Sequence, residues 1–108
     1  MHYRSSLNRT FFALSDQKRR EILDRLSRGP VTLGQLAEPY GLTLNGVRKH
    51  VSILEQVGLV ETERVGRTRQ CRLGPERLDD AAEWIDEHQR TWRARLDRFG
   101  DYLEEGGR

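Results

Sequence analysis

Residues 33–54 read LGQLAEPYGLTLNGVRKHVSIL and predict two helices joined by a tight turn. Gly41 breaks the first helix, and Thr43 supplies a hydroxyl that suits the N-cap of the second. The second helix has apolar residues at the i, i+4, i+7 spacing of a buried face, and these are Val47, Val51 and Leu54. Two helices packed at a steep angle leave the second as a projecting rod, so the stretch predicts a helix-turn-helix.

The outward face of the second helix, which we expect over about residues 43–57, combines side chains of the types that contact DNA. They are Thr43, Asn45, Gly46, Arg48 and Lys49. Arg forms paired hydrogen bonds with guanine and Asn with adenine, whereas Lys and Thr suit phosphates. Gly46 costs about 1 kcal/mol relative to Ala in a helix, which a close approach of the backbone to DNA would explain. The face predicts major-groove reading, and the plainer alternative is a solvated polar surface.

Further candidates have two interpretations each. His50 adjoins the reading face and predicts either a phosphate contact or a hydrogen bond to backbone within the domain. A metal or catalytic role is disfavoured, because no second metal ligand stands at helical spacing. Lys18, Arg19 and Arg20 fall near the start of an earlier helix, where cations oppose the helix dipole. That position predicts either phosphate contacts or internal ion pairs for these three residues.

Two predicted helices precede this arrangement, whose own first helix is the third of the chain. The first runs over Leu7–Leu14, and the second begins at a cap formed by Ser15 or Asp16 and ends at Arg28-Gly29-Pro30. The third helix is capped by Thr32 and extends to about Tyr40. Gly58 then ends the helix that follows the turn.

A β-hairpin is predicted after Gly58, over about residues 59–73. Its strands, Leu59–Val65 and Thr68–Leu73, flank a Gly66-Arg67 turn. The basic residues around the tip are Arg64, Arg67 and Arg69. They predict minor-groove or backbone contacts from a wing, and the alternative is a charged edge that resists strand pairing. Cys71 alternates with Leu73 and is interpreted as a small core residue rather than a redox sensor.

The last predicted element is a long helix over about residues 76–105. Its apolar seam contains Leu78, Ala81 or Ala82, Ile85, Trp92, Leu96, Phe99 and Leu103, with heptad-like steps passing through His88. A helix of this length spans roughly 40 Å, more than the core of a small domain needs. Trp84 or Ile85 is expected to close the core of the monomer. The fold class is mainly α with a small β-hairpin, a winged helix-turn-helix in one domain of residues 1–108 with a long C-terminal dimerisation helix.

Composition narrows the functional classes. Residues 1–75 carry 13 Lys/Arg against 7 Asp/Glu, and residues 76–108 carry 6 Arg against 10 Asp/Glu, so the basic charge is concentrated in the N-terminal part. The sequence lacks a signal-peptide pattern and a membrane-spanning stretch, which favours a cytoplasmic protein. The three His, at positions 2, 50 and 88, lie in unrelated segments, and no catalytic set is evident, which argues against an enzyme.

Two stretches resemble the arsenic-repressor (ArsR) family. Residues 16–26, DQKRREILDRL, are similar to its D-P-x-R-R-x-I-L-x-x-L opening, and residues 41–60, GLTLNGVRKHVSILEQVGLV, to its recognition helix followed by L-E-x-x-G-L-V. Trp84, Trp92 and Leu96 look like the metal-independent branch, whose members often act as autorepressors. Gln17 stands where the family often has Pro. Arg48 stands where it often has Ser, which predicts an altered operator.

The resemblance implies a dimer that pairs through the first and last helices. The apolar residues in excess of one small core fit this mode, namely Phe11, Phe12, Trp92, Leu96, Phe99 and Leu103. The metal-sensing members have a Cys-x-Cys pair before the recognition helix, where this chain reads GQLAE over residues 34–38. Other members use Asp and His pairs on the last helix, but Asp86 and His88 lie only two residues apart. No metal site and no cofactor are therefore expected.

Together these features predict a homodimeric repressor of a palindromic operator in double-stranded DNA. An inducer, either a small molecule or a protein, is left open. The alternative is a winged helix used as a protein-interaction or assembly module, which would need no basic recognition face. Arg48, Lys49 and the arginines of the wing argue against that alternative.

Overall fold

The computed structural model describes residues 2–76 and 78–106 of the chain. Its contacts divide into two compact units, one up to residue 77 and one from Leu78 onward. In chain order the elements are α1 (His2–Leu14), α2 (Gln17–Leu26), β1 (Val31–Thr32), α3 (Leu33–Ala37), a 3-10 turn (Glu38–Tyr40), α4 (Leu44–Gln56), β2 (Val60–Val65), β3 (Thr68–Leu73) and α5 (Asp79–Gly106). The mainly helical chain with a small antiparallel sheet has the predicted fold class.

Side-chain caps explain where three helices begin. Asp16 caps α2, and its Oδ1 accepts from the backbone N–H of Lys18 at 2.8 Å and of Arg19 at 3.3 Å. Thr32 and Gln35 form a reciprocal capping box at the start of α3. Thr43 Oγ1 accepts from the Gly46 N–H at 3.0 Å at the start of α4. Each cap satisfies backbone donors that the helix leaves unpaired.

The predicted third helix is shorter than expected. It ends at Ala37, and residues 38–40 continue as a 3-10 turn instead of reaching Tyr40 in α-helical form. Pro39 explains the change, because it lacks an N–H and its ring clashes with the carbonyl four residues earlier. Gly41 then takes a left-handed conformation with φ of 63°, which reverses the chain before α4.

The sheet has one strand more than the predicted hairpin. Strand order is β1-β3-β2, all antiparallel, and Val31 pairs with Cys71 in the added strand. A two-residue strand carries no periodicity, so the sequence pattern could not indicate β1. In the hairpin itself, Gly66 at the turn has φ of 62°, and β2 begins at Val60 rather than at Leu59.

The core of the first unit is formed by the end of α1, by α2, α3 and α4, and by the sheet. Its fully buried side chains include Ile22, Leu36, Val47, Leu54, Val60 and Cys71. The predicted inward face of the recognition helix is confirmed, because Val51 is buried in the same cluster. Cys71 is confirmed as a core residue, and burial, with the charge of Glu55, raises the pKa of its thiol to about 11.

The base of the hairpin depends on two glycines that cross closely. The Gly74 N–H donates to the Leu59 carbonyl at 2.8 Å, and the Glu76 N–H donates to the Gly58 carbonyl at 3.2 Å. A Cβ at Gly74 would overlap the Gly58 carbonyl oxygen. Gly58 itself has φ of 78°. Neither position has room for a side chain, so the pair sets where the wing leaves the core.

The second unit is the long helix α5. It begins at Asp79, three residues later than predicted, and an Arg90–Asp86 ion pair at 3.0 Å lies on its surface. The expectation that Trp84 or Ile85 closes the core of the monomer is wrong, since these side chains are 39% and 48% exposed. Among the described residues of α5, Ala81 is buried.

Candidate nucleic-acid interface

The outward face of α4 presents polar groups that are not engaged by the protein. Asn45, Arg48 and Lys49 are exposed. Within residues 2–76 and 78–106, their side chains make no hydrogen bond or ion pair. Since buried Val47 and Val51 fix the opposite face of the helix, these three side chains must point away from the core.

Gly46 has a local reason besides a close approach to DNA. A Cβ at this position would lie 3.3 Å from Thr43 Oγ1, the atom that caps α4. A side chain here would therefore press on the cap, while Gly leaves the hydroxyl room. Thr43 is exposed, and its hydroxyl accepts the Gly46 N–H, so its own hydrogen can be donated outward.

His50 lies on the flank of α4 that faces α2. Its Nδ1 is 3.3 Å from Nη1 of Arg19, and the residue is half-buried. The sequence left open a phosphate contact or a bond to backbone within the domain, and the structure instead shows a contact with the side chain of Arg19. The contact uses one ring nitrogen, which leaves the phosphate interpretation for Nε2 to be tested.

The three cations of α2 serve internal contacts. Arg19 is buried and donates to the carbonyls of Phe12 at 3.0 Å and Ala13 at 2.7 Å. Arg20 donates to the Leu14 carbonyl at 2.7 Å. Lys18 donates to the Tyr40 carbonyl at 3.0 Å and lies 3.9 Å from Glu21.

These contacts explain why cations stand where the α2 dipole disfavours them. Phe12, Ala13 and Leu14 are the last residues of α1, whose carbonyls have no helical partner. A cation there is favoured by the dipole of α1. This favourable interaction at the end of α1 compensates for the unfavourable interaction of the same cation with the dipole at the start of α2. The sequence contained a signal for these contacts, because the end of the first helix and the start of the second are separated only by residues 15 and 16.

The wing arginines lie exposed at the hairpin tip. Arg64 and Arg69 face each other directly across β2 and β3. Arg64 Nε donates to the Gly66 carbonyl at 3.4 Å, and Arg69 Nε donates to Thr62 Oγ1 at 3.1 Å. Both side chains are held through Nε, which leaves their terminal nitrogens available. Like charges directly opposite destabilise a hairpin, so the pair is suited to a polyanionic partner.

A three-residue network ties the wing to the recognition helix. Thr62 Oγ1 donates to Glu55 Oε2 at 3.2 Å while accepting from Arg69. Because Glu55 is on α4, Thr62 on β2 and Arg69 on β3, the network connects three elements. Sequence analysis missed Glu55 and Thr62, whose roles depend on a contact seven residues apart.

The acidic side chains of the wing are neutralised on its other face. Arg72 binds Glu63 at 2.8 Å and Glu61 at 3.1 Å. The hydrogen bond that Arg72 donates to Glu63 and the charge of Glu61 hold the pKa of Arg72 above its usual value. Strand alternation places these three residues on the face opposite Arg64 and Arg69. The face with the arginine pair is therefore basic.

A groove of about 600 Å³ brings the recognition helix and the wing together. Its basic lining consists of Arg48 from α4 and the wing residues Arg64, Arg67 and Arg69. Thr68 of the wing, the start of α3 and Leu44 complete it. Among the described residues, no carboxylate lines this groove. Thr43, Asn45 and Lys49 lie on the rest of the α4 surface, and His50 lies on the flank towards α2.

Apolar side chains form exposed stripes in each unit. On α5, Trp92, Leu96, Phe99 and Leu103 are 55–68% exposed and follow one another at steps of four, three and four residues. This spacing is that of a helix-pairing seam. On α1, Phe12 is 60% exposed and Phe11 is half-buried. No helix in the described part of the chain is long and apolar enough to cross a membrane.

Comparison with known proteins gives this geometry a context. A family model described as a helix-turn-helix domain matches residues 14–63. The transcriptional repressor SdpR of Bacillus subtilis (strain 168) is 33% identical over 79 residues, covering 73% of this chain and 88% of SdpR. The residues matched by the family model include α2, the helix-turn-helix and the start of the wing.

Two solved structures share the fold. The ArsR family transcriptional regulator RHA00566 has 40% sequence identity and a TM-score of 0.72, over 82% of this chain and 97% of that one. The homodimeric winged helix-turn-helix DNA-binding domain of Mb0332 from Mycobacterium bovis has 26% identity and a TM-score of 0.63, over 87% and 84% of the two chains.

Proposed function

The chain belongs to the ArsR family of winged helix-turn-helix transcriptional regulators, and on that premise we propose that it is a homodimeric repressor of a palindromic operator. Members of this family are DNA-binding regulators and not enzymes. The observation that carries the proposal is the basic groove, in which unpaired Arg48 on α4 meets three arginines of the wing. Such a surface suits a phosphate backbone beside a groove that is read by a helix.

Each side chain then has a role in DNA binding. Asn45, Arg48 and Lys49 enter the major groove with the backbone at Gly46, where Arg48 recognises a guanine. Thr43 and His50 contact phosphates. Arg64, Arg67 and Arg69 grip the backbone or the adjacent minor groove from the wing.

We place the dimer interface on α1 and α5. The exposed apolar side chains there, Phe12, Trp92, Leu96, Phe99 and Leu103, would be costly in water without a partner, and half-buried Phe11 adjoins Phe12. The homodimeric state of the Mb0332 domain supports this assembly. Two-fold symmetry would set the two recognition helices about 34 Å apart, which is one turn of DNA. In this assembly residues 1–108 act as a single functional domain.

Regulation is proposed to be independent of metal. Among the described residues, no three His, Cys, Asp or Glu side chains stand where they could hold a metal ion. Cys71 is buried, and its raised pKa disfavours the thiolate that binds metals. The trigger would then be a small molecule or a protein. Because the protein regulates transcription, we place it in the cytoplasm with the chromosome.

Selection of bound duplexes from a random pool tests the proposal. Wild-type protein should enrich a palindrome, and Arg48→Ala should relax the preference at one position of each half-site, costing about 1–3 kcal/mol. Arg28→Ala removes the same charge from an exposed site just beyond α2 and is the matched control. An unchanged preference with Arg48→Ala would refute the role of Arg48, and no enrichment by the wild type would refute the proposed function.

A further inference from the structure

Arg19 makes an unusual set of contacts for a charged residue. Its side chain is 6% exposed, and its guanidinium lies 5.1 Å from the centre of the Phe12 ring. Nε and Nη2 donate to two carbonyls at the end of α1, while Nη1 reaches His50 and lies 3.9 Å from Asp16. Backbone carbonyls and a flat ring hold the group from several sides, so Arg19 is fixed in place.

The contact with His50 dictates where the imidazole carries its hydrogen. Arg has only donors, so Nδ1 of His50 must accept at the observed 3.3 Å. A neutral ring whose Nδ1 accepts carries its hydrogen on Nε2. The two nitrogens lie on opposite edges of the ring, and Nε2–H therefore points away from buried Arg19.

We infer that Arg19 is a positioning residue for DNA binding: it holds His50 as the Nε2–H tautomer, and that N–H donates to a DNA phosphate. The inference rests on the proposed function and adds a specific donor to it. The nearby titratable groups are Asp16 and Arg19 on the α2 side and Lys49 on α4 itself. His50 acts as a neutral donor, because a second proton on Nδ1 would face the guanidinium.

His88 provides an internal reference for this assignment. Its Nδ1 lies 2.8 Å from the Trp84 carbonyl oxygen, which only accepts, so Nδ1 of His88 must carry a hydrogen. The two histidines are thus expected in opposite tautomers within one protein. Nitrogen NMR of the imidazole side chains distinguishes the two tautomers, and His50→Gln identifies the His50 signals by their loss.

The first experiment compares two amide variants of His50 in the full chain. His50→Asn keeps an acceptor near the position of Nδ1 but has no outward donor, whereas His50→Gln places an amide N–H near the position of Nε2. The probe is a duplex that the wild-type protein has selected from a random pool. We expect about a 5- to 100-fold loss of affinity for His50→Asn, with two hydrogen bonds lost per dimer, and near wild-type affinity for His50→Gln.

The salt dependence separates this role from a charged contact. A neutral donor displaces no counterion, so His50→Asn should weaken binding without changing the slope of log K against log salt. Lys49→Ala should instead reduce that slope by about 0.9 for each phosphate no longer neutralised. A slope lowered equally by both variants would overturn the neutral-donor assignment.

The second experiment tests Arg19 itself. Arg19→Lys keeps the charge but cannot form the forked contacts, and it should mix the tautomers of His50 in the NMR spectrum. Its loss of DNA affinity should not add to that of His50→Asn in the double variant. If Arg19→Lys fails to fold, the inference is tested by the DNA affinities of the two His50 variants and by the tautomer of His50 in the wild-type protein.

Three results would overturn the inference: full affinity of His50→Asn, a hydrogen on Nδ1 of His50 in the wild type, or additive losses in the double variant. In each case wild-type protein that still binds the selected duplex would leave the proposed function standing. Wild-type protein that selects no duplex would refute the function instead.

Discussion

Arg64 and Arg69 place two like charges opposite each other, which suits the proposed binding to DNA but lowers the stability of the hairpin. They face each other across the hairpin, and their Nε atoms are used for internal contacts. The acidic residues that could neutralise them, Glu61 and Glu63, are bound to Arg72 on the opposite face. Repulsion between the two guanidinium groups therefore persists in the free protein, and under the proposed function a DNA phosphate would relieve it.

Replacing Arg64 by Gln should consequently stabilise the protein and weaken its binding to DNA. We expect a gain of about 0.2–1 kcal/mol in the free energy of unfolding, because a like-charge cross-strand pair is removed. The salt slope of DNA binding should fall by about 0.9 per phosphate lost. Urea denaturation and binding titrations at several salt concentrations measure the two effects.

Arg72→Gln is the matched control, since it removes one arginine from the other face of the same hairpin. It loses the contacts to Glu61 and Glu63 and should leave the salt slope of DNA binding unchanged. Equal slopes for wild type and Arg64→Gln would show that Arg64 does not contact the DNA backbone.

Helix boundaries are set by local capping, and Asp16 is the clearest case. Burial raises the pKa of this carboxyl, but hydrogen bonds from the Arg19 and Lys18 amides and the nearby charge of Arg19 act in the opposite direction, and the pKa is lowered from its ordinary value of 3.8. A lowered folded-state pKa adds stability above the unfolded value, and that stability is lost as the pH falls through the folded value.

Asp16→Ala should therefore cost about 0.5–2 kcal/mol at pH 7, the usual range for an N-cap. The difference from wild type should begin to shrink as the pH falls below the ordinary value of 3.8, and the contribution of the charge is lost only below the lowered folded-state pKa, where the carboxyl is protonated in both states. Asp16→Asn keeps a capping oxygen and is the control. Urea denaturation across this pH range measures the difference, and a constant gap between wild type and Asp16→Ala would contradict the role of the charge.

The wing is positioned by the close crossing of Gly58 and Gly74 at its base. Gly74→Ala should destabilise the fold by about 1–3 kcal/mol, because its Cβ would overlap the Gly58 carbonyl oxygen. The same substitution at Gly100, inside α5 with nothing within 4 Å, should stabilise by up to about 1 kcal/mol. Thermal or urea unfolding compares the pair. Equal effects of the two substitutions would rule out the steric explanation.

At the scale of the whole molecule, the chain forms two compact units and leaves large apolar side chains exposed to water. In the second unit, large side chains from Trp92 to Leu103 stand on one stripe of α5 and are more than half exposed. Ala94 lies on the opposite face of the same helix and is also exposed. Since an isolated stripe of this kind is unfavourable in water, the second copy of the chain is the partner that we propose.

Leu96→Glu should convert the dimer to a monomer, because it would bury an unpaired charge in the seam. Binding to a palindromic duplex should fall at least tenfold, since two half-sites are no longer engaged together. Ala94→Glu adds the same charge to the outer face and should remain dimeric. Sedimentation velocity measures the assembly, and a dimer of unchanged stability with Leu96→Glu would exclude this interface.

The sequence alone determined the features that depend on neighbours along the chain. Asp16, Thr32 and Thr43 mark helix starts because a cap bonds to residues two or three positions away. The apolar spacing of Val47, Val51 and Leu54 fixed the inward face of α4, because helical geometry repeats every 3.6 residues. The hairpin was predictable from alternation around Gly66. These short-range signals were sufficient for the winged helix-turn-helix.

Tertiary structure decided the features that depend on distant residues. The role of Arg19 required the end of α1 and a histidine 31 positions away to meet at one guanidinium. Strand β1 forms because Val31 pairs with Cys71, which lies 40 residues later in the chain. The exposure of Trp84 and Ile85 likewise could not be predicted from the apolar pattern of the last helix. Periodicity shows which residues share a helix face, but it does not show whether another part of the protein packs against that face. Side-chain roles that need a partner from elsewhere in the fold are set by packing, which local sequence does not encode.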